Sequence, residues 1–156
     1  NVVSLKTRNI YAMPVCKSSI IRISRRESPA HVGKLKNSLD FIVPEGTPVK
    51  AAAIGIVVDL KDGSNIGGPE KKMEKHGNFV EIEHANNECS EYEHLKRGLC
   101  VKVGDKVKKG QIIGYSGATG WIAQLGPHLH FMVGVYGKTV KYYNTLEVVF
   151  ENRKGV

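Results

Sequence analysis

Residues 126–131 read Gly126-Pro127-His128-Leu129-His130-Phe131, and Val133 continues the pattern two positions on. Apolar Leu129, Phe131 and Val133 alternate with His128 and His130, the period of a β-strand with one face in a core. Residues i and i+2 share a face roughly 6–7 Å apart. Two imidazoles on one face can serve a single site in different roles, one binding a metal and one facing substrate. The same spacing also occurs on solvated strand faces, so the pair needs support from the rest of the chain.

Working outward, β-type signals dominate. Leu39–Val43 is a short apolar strand, followed by the turn Pro44-Glu45-Gly46-Thr47-Pro48. Val49–Leu60 reads as a strand broken at Gly55. Asp62–Gly77 is polar, glycine-containing and lysine-rich, and reads as a long mobile loop. Phe79–Glu83 alternates as a strand, Asn86-Asn87 marks a turn, and Ser90–Leu95 closes a hairpin. Short strands and glycine turns alternate from Val101 to Gly114. Gly117–Gly126 is a loop carrying Trp121, open to a role in the core or facing a ligand. Val140–Phe150 fits a strand or a short helix, and Ile20, Ile21 and Ile23 lie in a β-prone run. No convincing helix period is present. The expected fold is mostly β: a single domain of antiparallel sheets with long loops around a groove.

The chain has 156 residues, enough for one domain with a real core, and 41% of them are hydrophobic. No apolar run approaches the roughly 18 residues of a membrane span. The first residues, Asn1-Val2-Val3-Ser4, show no basic-then-apolar leader pattern, and a start without Met reads as a trimmed or mature chain. The net charge of +8 suits an anionic partner, either nucleic acid, a membrane surface or a wall polymer. The basic residues are dispersed, without aromatic stacking positions or zinc-finger spacing, so nucleic acid is not expected. Cys16, Cys89 and Cys100 form no CxxC motif; an odd count allows either one disulfide plus a free thiol or none, and Cys89 and Cys100 are open to pairing.

Six histidines are available: His31, His76, His84, His94, His128 and His130. Asp40 lies inside the apolar run Leu39-Asp40-Phe41-Ile42-Val43, where an ionised carboxylate is costly unless paired, hydrogen-bonded or metal-bound. His94 follows Tyr92 at a two-residue spacing, which predicts a shared strand face. Two histidines and one aspartate from separate segments match the catalytic zinc pattern of three protein ligands plus water.

Five separated blocks carry a further signal. They are Asp40-Phe41-Ile42-Val43-Pro44-Glu45-Gly46-Thr47-Pro48-Val49, Tyr92-Glu93-His94-Leu95, Gly104 to Gly114, Gly117-Ala118-Thr119-Gly120, and His128-Leu129-His130-Phe131. In this order they resemble the lysostaphin-type zinc endopeptidases of bacterial cell walls, over residues 31 to about 135. The resemblance implies zinc ligands at His31, Asp40 and His130, and catalytic histidines at His94 and His128. The chain departs from many relatives before Asp40: the position four residues upstream is Lys36, and Ala30-His31 resembles relatives with a longer gap.

The implied division is a segment of strands and loops over 1–28 packing on the core, a zinc peptidase core over 29–140, and a C-terminal segment over 141–156. The implied substrate is peptidoglycan or another peptide polymer, cut in stem peptides or cross-bridges, at an extracytoplasmic location. Oligomeric state is not readable. His84 is placed near the cleft without being a ligand, and His76 is placed in solvent. One rival is a non-catalytic wall-binding or hydrolase-activating module of the same fold. Another is a biotinyl/lipoyl-type carrier, suggested by Val103–Gln111; Lys72-Met73 only faintly echoes its modified lysine.

Overall fold

A computed structural model describes residues 5–25, 37–122, 126–136 and 145–151. In chain order the strands are β1 (Lys6–Tyr11), β2 (Arg22–Ser24), β3 (Leu39–Ile42), β4 (Pro48–Lys50), β5 (Gly55–Lys61), β6 (Gly67–Gly68) and β7 (Asn78–Glu83). They continue with β8 (Glu88–Leu95), β9 (Lys106–Val107), β10 (Ile112–Tyr115), β11 (Gly120–Trp121), β12 (Leu129–Val135) and β13 (Glu147–Phe150). Only short 3₁₀ turns interrupt them among the described residues. The fold is mostly β, built on an antiparallel seven-stranded sheet in the order β2-β3-β12-β8-β7-β5-β9. Three two-stranded ribbons, β1–β13, β4–β10 and β6–β11, accompany it.

The alternation read from sequence decides which face of the sheet is dry. Leu39 and Phe41 of β3, Leu129, Phe131 and Val133 of β12, Tyr92 of β8, and Val80 and Ile82 of β7 are buried in one cluster. Val49 and Ile113 from the β4–β10 ribbon and Tyr11, Val148 and Phe150 from β1–β13 join it. Phe131 is the aromatic hub, 5.3 Å from Tyr92, 6.2 Å from Phe41 and 6.2 Å from Phe150 between ring centroids. Such pairs add about 0.5–1.5 kcal/mol each beyond the area they bury. The opposite face of β12 carries His130 and that of β3 carries Asp40.

The β7–β8 hairpin turns through Asn86 and Asn87, both with positive φ, which asparagine tolerates by bonding its own backbone. Asp62–Gly77 is not simply a loop. It contains β6 and a 3₁₀ helix over Lys71–His76, with His76 half-buried. β6 pairs in parallel with β11, and the side chain of Asn78 bonds the backbone of Ser64 at both its N–H and its carbonyl. The alternative of a helix near the C-terminal end gives way to a strand at Glu147–Phe150, paired in parallel with β1; residues 137–144 lie outside the described residues.

Cys89 and Cys100 do not pair. None of the three cysteines is in a disulfide. Cys89 is buried on β8 with its thiol 3.3 Å from Oε1 of Glu81, whereas Cys100 is exposed beyond the far end of that strand. A disulfide needs Cα atoms within about 7 Å, and the full length of β8 separates the two.

Candidate active site

Two backbone devices assemble the site. The first is register. Asp40 of β3, His130 of β12 and Glu93 of β8 are direct cross-strand partners, so three adjacent strands place three polar side chains in one row. Nδ1 of His130 lies 3.1 Å from Oδ1 of Asp40, and Nε2 of His130 lies 3.3 Å from Oε2 of Glu93. Asp40 is fully buried.

The second device is a bulge. Phe79 pairs with Glu93 and Asn78 with Leu95, so His94 is the extra residue on β8. Its φ of 67° lies in the left-handed region, uncommon for a residue with a side chain. This reverses the expectation that Tyr92 and His94 share a face. The hydroxyl of Tyr92 points into the core and accepts the Ala52 N–H at 2.9 Å. The His94 ring turns to the other side, with its centroid 4.7 Å from that of His128 and 5.9 Å from that of His130.

Backbone carbonyls set the tautomers of the two outer histidines. Nδ1 of His94 lies 2.8 Å from the carbonyl oxygen of Thr119, and Nδ1 of His128 lies 2.6 Å from that of Gly126. A carbonyl only accepts, so each Nδ1 carries hydrogen and donates. In the neutral rings the lone pair is then on Nε2. In His128 this nitrogen lies 3.5 Å from Oδ1 of Asp40.

Thr119 is itself anchored. Its hydroxyl donates to the carbonyl of Leu95 and accepts the N–H of Asn78. Gly120, at φ 84°, allows this path: a Cβ there would sit 2.8 Å from the Cα of Gly77.

The charges follow from this arrangement. Burial pushes His94 down to about 3, and the neighbouring His128 and His130 push in the same direction. The ring is therefore a neutral imidazole. Burial also opposes charge on His130, but Glu93 first and then Asp40 outweigh it and raise this histidine above its ordinary value.

Among the described residues, no group of three or more His, Cys, Asp or Glu side chains is arranged to hold a metal ion. His31, the third implied ligand, lies outside the described residues. The donor set that is described does fit zinc. One carboxylate and one imidazole present Oδ1 and Nδ1 to each other at 3.1 Å. Two donors at zinc bond lengths on a tetrahedral ion are separated by roughly 3.3 Å.

Residues 34–142 match the model of the family described as Peptidase family M23. The chain belongs to this peptidase family. It is 39% identical over 104 residues to the peptidoglycan DD-endopeptidase ShyA of Vibrio cholerae, an alignment covering 67% of this chain and 21% of that protein. The structure resembles a zinc-containing peptidase from Vibrio cholerae, with a TM-score of 0.63, 30% identity and coverage of 88% of this chain and 39% of the other. It also resembles the catalytic domain of the antimicrobial peptidase lysostaphin from Staphylococcus simulans, with a TM-score of 0.57, 30% identity and coverage of 80% and 87%. The chain spans 27% and 21% of the length of the first two curated relatives it matches.

His84 does not reach the site. Both its ring nitrogens are engaged in the sheet, with Nδ1 2.7 Å from the Ile54 carbonyl and Nε2 2.7 Å from the Ser90 hydroxyl. Trp121 is half-buried and donates Nε1–H to the carbonyl of Pro69, closing the β6–β11 ribbon. Sequence reading missed Glu93 and the part played by the Thr119 carbonyl. The Tyr-Glu-His order alone cannot say that Glu93 stands opposite His130, because register is a property of strand pairing.

Proposed function

We propose that this chain is a zinc-dependent metalloendopeptidase that hydrolyses peptide bonds in peptidoglycan, in stem peptides or cross-bridges, at an extracytoplasmic location. Asp40 and His130, with His31, would hold the metal. Zinc, when bound, supplies Lewis acidity and lowers the pKa of a bound water to about 7. His94 and His128 are the proton-handling residues: each donates Nδ1–H to a backbone carbonyl and turns Nε2 inward. A neutral imidazole with its lone pair on Nε2 can take a proton from an attacking water and later give it to the leaving amine. Thr119 and Gly126 orient these rings through their carbonyls.

The observation that carries this reading is the convergence of four side chains from β3, β8 and the start of β12 on the polar face of one sheet. Oδ1 of Asp40 lies 3.1 Å from His130 and 3.5 Å from His128, and His94 packs edge-on against both imidazoles. Family membership and the activities named for the relatives support the choice of bond and polymer. The net charge of +8 suits an anionic wall.

The test is incubation of zinc-loaded protein with purified wall fragments and mass spectrometry of the products. New amino and carboxyl termini within the peptide portion are expected from the wild type. Asp40→Ala is expected to lose both zinc and cleavage. Unchanged cleavage by Asp40→Ala or His130→Ala ends the proposal.

A further inference from the structure

We infer that Glu93 is a positioning residue for His130, orienting its ring toward the metal; the inference rests on the zinc-peptidase reading above. Two carboxylates bracket this imidazole along one cross-strand row, Asp40 at Nδ1 and Glu93 at Nε2. The Asp40 side is fully buried, and Nδ1 is the nitrogen on the side shared with His128. Nε2 faces the other way, to Glu93, whose side chain is 34% exposed.

The chemistry of the ring then assigns the proton. If Nδ1 gives its lone pair to a metal, the ring's hydrogen must sit on Nε2. Glu93 stands where a carboxylate can accept it. A carboxylate behind a metal-binding histidine fixes tautomer and ring orientation and makes the imidazole a better donor, and removing such a partner typically lowers metal affinity about 10–100-fold. The placement is secured by strand register. Glu93 and His130 are paired residues on neighbouring strands, with Cβ atoms held about 4.5–5.5 Å apart by the ladder. The bulge at the next residue, His94, leaves Glu93 on the site side of the sheet.

The test compares zinc affinity by competition with a chromogenic chelator in wild type, Glu93→Ala, Glu93→Gln and Asp40→Ala, with melting temperature as the check on folding. Glu93→Ala is expected to bind zinc about 10–100-fold more weakly while melting like the wild type. Glu93→Gln, whose amide oxygen still accepts a hydrogen bond from Nε2–H, is expected to recover part of that loss. Nitrogen NMR of the zinc-loaded wild type is expected to show His130 protonated on Nε2.

A loss in Glu93→Ala smaller than the expected range overturns the inference, and so does a Gln variant no better than the Ala variant. A loss as complete as that of Asp40→Ala also overturns it, because Glu93 would then be a ligand. If wild type binds no zinc, the underlying reading falls too. If wild type binds zinc and cuts wall fragments while Glu93→Ala matches it in affinity, only the role of Glu93 is lost.

Discussion

His84 and His94 stand at opposite ends of the same β7–β8 hairpin, and both are held below the ordinary histidine value by burial. Their hydrogen bonds separate them. His84 engages both ring nitrogens within the sheet, with the Ile54 carbonyl and the Ser90 hydroxyl, and its ring packs edge-on against Tyr11. His94 commits Nδ1 to one carbonyl and turns its other edge toward His128 and His130. Burial of an imidazole therefore says little about its use. A ring with both nitrogens spent on scaffold partners is part of the scaffold. One anchored at a single nitrogen keeps a second for chemistry.

The largest effect should come from His94. His94→Ala is expected to keep zinc and to lose about 10²–10⁴-fold in turnover on wall fragments, whereas His84→Ala should leave turnover per folded molecule close to wild type. Comparable losses in both would break the comparison. Next is stability. His84→Ala removes the buried donor to the Ile54 carbonyl and one of the two side-chain partners of the Ser90 hydroxyl, which keeps Tyr92, and should cost about 1–3 kcal/mol, read from urea midpoints.

Acid sensitivity sharpens the same contrast. The folded chain resists protonating His84, while the unfolded chain accepts that proton near the ordinary value of about 6.5. The stability associated with neutral His84 is thus present above that value and is lost as pH falls below it. Metal-free His84→Gln should lose less stability than wild type between about pH 7 and about pH 5, and an equal slope in both proteins would contradict this. The smallest effect concerns the bulge. At φ 67°, glycine carries no Cβ penalty, so His94→Gly should be more stable than His94→Ala by about 1 kcal/mol.

Much of the architecture was legible because alternation is local. Leu129, Phe131 and Val133 fall into the core and His130 onto the other face, as the period of two requires. Asp40 stood out because a carboxylate in an apolar run demands a partner, and His130 and His128 lie within 3.5 Å of it. The same rule misled at Tyr92 and His94. One inserted residue shifts the period, and nothing in Tyr-Glu-His-Leu announces a left-handed histidine. Cys89 and Cys100, whose pairing the sequence left open, stay apart for a related reason: proximity in sequence is no measure of distance along an extended strand, which rises about 3.3 Å per residue.

Residue order alone determined the β character of the chain, the dry face of its central sheet and the kinds of side chain available for chemistry. These follow from periodicity and from the cost of burying charge. Which side chains meet was decided only by tertiary structure: the row Asp40–His130–Glu93, the turn of His94 out of the core, and the carbonyls of Thr119 and Gly126 behind the two outer rings. The physical reason is that register and bulges are set between strands, by hydrogen bonds linking residues tens of positions apart, and no local pattern encodes the partner.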